Sequence, residues 1–300
     1  MILNYNKKLR CYRVNYNIVA LPKPKILRVL GGKRLVKRLV QPVIKSKTAR
    51  DWEPFVLFEG CTMSRRMIGS RFATQYLLDK YNFDYIIMEK EKCCGAPVRR
   101  SGGYEESDGL RDYNLDQVLK EGATAIMSAC PGCGSQLKTP EATDLGIRVY
   151  HIVEVLYDLA VNNELYQPRF MRKLKPLKVT AHYPCHLHRG MGILCDIAHK
   201  KIVEAFPKWE WIELNNADEC CGAGGGVRAS QKPLSFQIRE RKIENIIDSG
   251  ADIVLAACPF CELQIDEGLR ELEKTKARSI TPQSLIMMQF KNLSKEVGAL

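Results

Sequence analysis

Residues 125–133 run Ala125-Ile126-Met127-Ser128-Ala129-Cys130-Pro131-Gly132-Cys133, and residues 253–261 repeat the figure as Ile253-Val254-Leu255-Ala256-Ala257-Cys258-Pro259-Phe260-Cys261. Each apolar run is too short for a helix face and reads as a buried strand. Each leads straight into a Cys-Pro-x-Cys pair. Working back from either pair, the chain meets a Cys-Cys-Gly triplet and then a single cysteine. The first copy is Cys61, Cys93-Cys94-Gly95 and Cys130/Cys133; the second is Cys185, Cys220-Cys221-Gly222 and Cys258/Cys261. Ten of the twelve cysteines fall in this pattern.

The surrounding elements repeat in the same order, as internal duplication requires. In the first copy, strands are expected at 55–58, 85–88, 125–128 and 148–150, with helices at 67–81, 115–121 and 152–161. In the second, strands are expected at 178–182, 211–214 and 253–256, with helices at 193–206 and 234–249. Strand–helix alternation implies parallel sheets covered by helices. The expected fold is therefore α/β: two tandem duplicated Rossmann-like units related by a pseudo-two-fold axis, each with one cluster site. We divide the chain into a basic arm (1–50), a first domain (51–165), a linker (166–176) and a second domain (177–300). Ligands in such sheets collect beyond the carboxyl ends of the strands. Every cysteine group follows an expected strand, so each set can converge on one edge.

The 300 residues suffice for two modest cores. Composition is that of a globular protein, 45% hydrophobic and 27% charged. No apolar run is long enough for a transmembrane helix, and no secretory signal is evident. These features place the chain in the cytoplasm, where cysteines serve as ligands or catalysts rather than disulfides. The net charge of +12 is unevenly spread. Residues 1–50 hold fourteen Lys or Arg and no acidic residue, leaving the remainder near neutral. Residues 1–22 read as irregular, and 25–45 as partly helical and amphipathic. Such an arm can meet an acidic partner or an anionic membrane surface, giving a peripheral location on its inner face. It can equally dock on its own domain. Nucleic acid is not expected, because no aromatic interleaving or helix-turn-helix accompanies the charge.

Thiolate sets of this kind select iron–sulfur, zinc or copper(I). Adjacent cysteines such as Cys93-Cys94 cannot both aim at one small tetrahedral ion but can reach different irons of a cluster. Five thiolates also exceed the four of a closed zinc site or an ordinary cubane. Iron–sulfur is favoured, with zinc in one copy as the rival. Gly95 and Gly222 are expected to let backbone bend close to the metal.

The duplicated pattern, with Gly60-Cys61-Thr62-Met63 and Arg65-Arg66 at its start, resembles the CCG-domain iron–sulfur family, including the B-type subunits of heterodisulfide reductase and their Hdr-like homologues. The resemblance covers residues 54–292 and leaves out the arm. It implies two noncubane [4Fe-4S] clusters, one on Cys61, Cys93, Cys94, Cys130 and Cys133, the other on Cys185, Cys220, Cys221, Cys258 and Cys261. It further implies a catalytic subunit that reduces or forms a disulfide between two facing clusters. The partners implied are a ferredoxin-like [4Fe-4S] subunit and a flavin subunit. The alternative is a non-catalytic electron-transfer or anchoring CCG subunit of a succinate dehydrogenase-type complex.

Around the second set, His186 and His188 flank the Cys185 region and are candidate proton donors, as is His182; hydrogen bonding to sulfur or backbone is the competing role for each. His151 and His199 read as structural. Arg65, Arg66, Arg99 and Arg100 can bind an anionic substrate group or face solvent. The run Gly222-Ala223-Gly224-Gly225-Gly226 follows a ligand pair and opens no nucleotide-binding unit. Cys195 reads as a buried thiol.

Overall fold

The computed structural model describes residues 52–271, 275–291 and 293, together with the backbone of two N-terminal strands. Those strands, β1 (Leu3–Asn6) and β2 (Cys11–Val14), pair antiparallel. They correct the expectation of irregular structure at 3–6 and 11–14; the remainder of 1–22 lies outside the described residues. The amphipathic reading of 25–45 lies outside the described residues.

The first unit contains β3 (Phe55–Phe58), α1 (Gly60–Arg65), α2 (Ile68–Lys80), β4 (Tyr85–Ile86), α3 (Ala96–Arg100), α4 (Tyr104–Lys120), β5 (Ala125–Ser128), α5 (Pro131–Leu137), α6 (Pro140–Asp144), β6 (Arg148–His151) and α7 (Ile152–Val161). The second contains β7 (Leu177–His182), a π-helical turn (His186–Gly190), α8 (Cys195–Glu204), β8 (Trp209–Trp211), α9 (Val227–Ser230), α10 (Lys232–Ser249), β9 (Ile253–Ala256), α11 (Pro259–Glu271), β10 (Arg278–Ile280) and α12 (Pro282–Met287). Among the described residues no helix is long and apolar enough to cross a membrane.

Each unit builds a four-stranded parallel sheet, ordered β4-β3-β5-β6 and β8-β7-β9-β10. Two similar α/β units are thus present. In both, the first and third strands are neighbours and the second lies outside, so the chain reverses direction between β3 and β5 and between β7 and β9. Crevices form at such points beyond the carboxyl ends of the strands. Cys61 and Cys130 follow the two strands of one crevice, and Cys185 and Cys258 those of the other. All four residues of β3, β5 and β9 are buried, as expected for sheets covered on both faces.

Most boundaries lie within two residues of expectation, and three differences bear on the site. The strand at 85–88 stops at Ile86, and the strand at 211–214 instead occupies 209–211. The helix expected over 115–121 begins at Tyr104, because its first turns carry Glu105, Glu106, Asp108 and Arg111 and offer little apolar signal. Consequently Cys93 and Cys220 reach the strand ends through loops.

The units pack reciprocally. Helix α5, which follows the first Cys-Pro-x-Cys, lies against the π-helical turn after Cys185. Helix α11, which follows the second, lies against α1, the helix bearing Cys61. One apolar cluster runs through both units, joining Phe55, Tyr76 and Met127 to Val179, Leu255 and Phe290. Met171 and Leu174, in the segment between the units, are buried, and Met171 bridges to Phe290.

Candidate metal centre

Each Cys-Pro-x-Cys pair sits at the start of a helix. Cys130 is the extended N-cap of α5, and Pro131 occupies its first turn, where no amide donor is needed. A helix N-terminus favours the thiolate form. The backbone of Cys61 is fixed from the side: Glu91 accepts hydrogen bonds from the amides of Glu59 and Gly60 at 2.7 and 2.8 Å. Burial, followed by the charge of Glu59, pushes the Glu91 carboxyl up to about 8. No sequence signal marked Glu91, one of two acids alternating with lysines in the loop before Cys93. Gly60 has φ +69°, and a Cβ there would stand 3.0 Å from Cys133 Sγ.

The two Cys-Cys-Gly triplets share one brace. Ser107 Oγ donates to the Gly95 carbonyl at 3.1 Å, and Gln136 Nε2 donates to Ser107 Oγ at 3.0 Å. Ser235 Oγ donates to the Gly222 carbonyl at 2.8 Å, and Gln264 Nε2 donates to Ser235 Oγ at 3.0 Å. Both glycines are left-handed, with φ +88° and +80°. A Cβ would meet the carbonyl oxygen of Ser107 at 2.7 Å or of Ser235 at 2.5 Å. The crowding that demands glycine therefore comes from the neighbouring helix backbone, where close approach to the metal was expected.

The thiols influence one another's ionisation from Cys61 through Cys93, Cys94, Cys133 and Cys130 in the first unit to Cys258, Cys261, Cys221 and Cys220 in the second. The Cys221 and Cys261 sulfurs are 3.1 Å apart. Such interactions favour the thiolate at Cys94, Cys130 and Cys221 and disfavour it at Cys133 and Cys261. Bonds from Cys133 and then Cys93 bring Cys94 down to about 5. Bonds from Cys133 and then Cys258 hold Cys130 well below the usual thiol range. Cys94, Cys130, Cys133, Cys221, Cys258 and Cys261 are buried, while Cys61 and Cys220 are exposed. A donor set made up chiefly of sulfur, with several thiols poised to ionise, fits a soft-metal cluster.

His186 stands where the units meet. Its Nδ1 is 3.6 Å from Cys185 Sγ, and its Nε2 is 2.6 Å from Nη2 of Arg100 in the first unit. A guanidinium can only donate. Nε2 therefore accepts, and the ring proton lies on Nδ1, facing sulfur. Burial and then Arg100 lower the His186 pKa. A Cβ at Gly224 would make ordinary contact with His186 Cε1 at 3.9 Å, whereas nothing lies within 4 Å of the Cβ positions of Gly225 and Gly226. His188 is tied back to the Ile193 carbonyl through Nδ1 at 3.1 Å. Arg99 pairs with Asp108. His182, His151 and His199 are fully buried, as is Cys195. His151 caps α7, and Cys195, which begins α8, is pushed up to about 12 by burial.

The model of the CCG cysteine-rich domain matches twice, over residues 55–138 and 179–266. An uncharacterized iron-sulfur protein of Methanococcus maripaludis is 33% identical over 217 residues, covering 72% of this chain and 42% of that one. The D subunit of the dihydromethanophenazine:CoB–CoM heterodisulfide reductase of Methanosarcina acetivorans is 31% identical over 229 residues, 73% of this chain and 54% of that one. The B subunit of the same organism's ferredoxin/F(420)H(2)-dependent CoB–CoM heterodisulfide reductase is 31% identical over 242 residues, 71% of this chain and 79% of that one. The chain spans about half the length of the first two relatives.

Proposed function

The chain belongs to the CCG cysteine-rich domain family, and from that premise we propose that it is the catalytic iron–sulfur subunit of a heterodisulfide reductase or Hdr-like complex. The observation that carries this reading is the reciprocal packing of the motif helices: α5, which follows Cys130, lies on the turn after Cys185, and α11, which follows Cys258, lies on the helix bearing Cys61, so the two cysteine sets meet at the join of the units. The first five cysteines would hold one noncubane [4Fe-4S] cluster and the second five the other. When bound, the pair supplies soft iron to sulfur and two one-electron stores.

The chain's own residues then shape the reaction. Exposed Cys61 and Cys220 mark the open side, from which a disulfide enters; the buried inner cysteines keep water away. Arg100 is exposed and offers its guanidinium to an anionic end of the substrate. The glycine run from Gly224 leaves room for the other end. In turning to the substrate, Arg100 releases His186 Nε2, which takes a proton from water while Nδ1 passes one to a departing thiolate. His188 holds the turn that carries this histidine. The balance is one S–S bond broken, two electrons from a ferredoxin-like [4Fe-4S] partner and two protons taken up, giving two thiols. A flavin subunit would feed that partner. The basic arm is available for docking on either of these partners or on an anionic membrane surface.

Anaerobically purified chain should contain iron and acid-labile sulfide, and a disulfide substrate should raise a new paramagnetic signal. Zinc without sulfide refutes the cluster reading. Iron and sulfide with no response to any disulfide points to an electron-relay or anchoring role.

A further inference from the structure

The two cysteine sets differ at one matched position. Phe58 ends β3, three residues before Cys61, and its register partner is Ser128, two residues before Cys130. His182 ends β7, three residues before Cys185, and its register partner is Ala256, two residues before Cys258. Both side chains are buried at the same place in the fold, His182 with only 1% of its surface exposed. One is a hydrocarbon ring; the other carries two nitrogens.

The orientation of His182 is fixed from behind. Its Nδ1 lies 3.1 Å from the Ala217 carbonyl oxygen. A carbonyl only accepts, so Nδ1 holds the proton and Nε2 presents its lone pair. Nε2 is buried without a hydrogen-bond partner. The ring lies among sulfurs: its ligand nitrogen and the sulfurs of Cys221 and Cys261 are all within 4.8 Å of one another. Among the described residues this is the one three-ligand group with such spacing. His199 also leaves Nε2 bare, yet no pair of thiols joins it in a comparable group. A backbone carbonyl orienting the far nitrogen is the usual support of a metal-ligating histidine.

On the reading that the second set holds an iron–sulfur cluster, we infer that His182 Nε2 is a nitrogen donor to that metal centre, with no counterpart at the first. The donor sets are then five thiolates in one unit and five thiolates with an imidazole in the other. Imidazole in place of thiolate changes the reduction potential of an iron–sulfur centre, and here it joins the thiolates at one site alone, so the two sites are expected to differ in potential.

The test uses the full, cluster-loaded chain grown with isotopically labelled histidine and examined by pulsed EPR. The expected result is a strong nitrogen coupling on one of two clusters, lost in His182→Phe, which restores the side chain found at Phe58. In a redox titration one of the two wild-type waves should shift in that variant while the other stays. His182→Gln, smaller and polar, serves should the Phe variant fail to load. A loaded wild-type chain with only weak nitrogen coupling, or with coupling that survives both variants, overturns the assignment. So does a weak coupling accompanied by an exchangeable proton, which would make His182 a donor to sulfur. A wild-type chain without iron and sulfide refutes the cluster reading itself and is recognisable as such.

Discussion

Gly222→Ala tests the brace behind the cysteine pairs. Gly222 has φ +80°, a conformation that costs an L-residue roughly 1–2 kcal/mol. The new methyl would also stand 2.5 Å from the Ser235 carbonyl oxygen and 3.3 Å from Ile238 Cβ. The oxygen belongs to the backbone of α10 and cannot swing aside, so overpacking adds about 1–3 kcal/mol. The combined expectation is a loss of about 2–5 kcal/mol. Gly225→Ala is the matched control: φ is +66°, but nothing lies within 4 Å of its Cβ position, so only backbone strain remains. Thermal unfolding followed by circular dichroism measures both. At about 2–4 °C per kcal/mol for chains of this size, Gly222→Ala should melt roughly 2–12 °C below Gly225→Ala. Metal uptake by the second set should fall with it, because Cys220 and Cys221 precede the displaced residue. Equal melting temperatures would refute the claim that close approach of the Ser235 backbone is what demands glycine here.

Three further outcomes are expected. Burial pushes His199 down to about 4 from an ordinary value of 6.5, so the unfolded chain takes up a proton that the folded chain refuses. Stability should therefore fall as pH drops from about 6.5 to about 4, by about 1.4 kcal/mol per pH unit for this residue, and His199→Gln should flatten the denaturant-measured slope by that amount. Glu91→Ala strands the amides of Glu59 and Gly60 at roughly 1–3 kcal/mol each and should speed alkylation of Cys61 in the metal-free chain; Glu91→Gln, which keeps one acceptor, should show a smaller increase. Arg100→Ala should raise KM for an anionic disulfide about 10- to 100-fold, the worth of one hydrogen bond to a charged group, and leave KM for a neutral disulfide unchanged.

Much of this architecture can be read from residue order. The runs at 55–58, 125–128 and 253–256 were recognisable as strands because a sheet covered on both faces needs an unbroken apolar stretch. The edge strands 85–86 and 209–211 were harder. They are short, and Ile87 and Leu214 continue the apolar signal into the loops beyond them. The helices after the Cys-Pro-x-Cys pairs went unread because their first turns are motif residues, although Pro131 and Pro259 at the first turn are helix-start signals in their own right. At the site, the grouping of cysteines was legible from their repetition and from the strand-to-ligand order. The roles of Glu91 and Ala217 were not. Both act through loop geometry, one through a side chain aimed at distant backbone and the other through a carbonyl, and neither leaves a spacing in the sequence. The Arg100–His186 pair joins residues of different units and depends on how the units dock.

Helix α12 and the residues just after it close over α2 of the first unit. Phe290 sets its ring edge-on against Tyr76 and Tyr81, at centroid distances of 5.6 and 6.3 Å. Ser284 and Thr281 reach Ser70 at 3.2 Å each. Phe290 follows Lys80, the last residue of α2, by 210 positions. At about 5–20 residues per second, a ribosome needs roughly 10–40 s to cover that distance. Throughout that interval the aromatic face of α2 lacks its cover, and the first unit cannot reach its final form in the order in which it is made. Maturation is thus a closing of the ring from the far end, and proteolysis of ribosome-held chains should find α2 protected only after residue 290 has emerged.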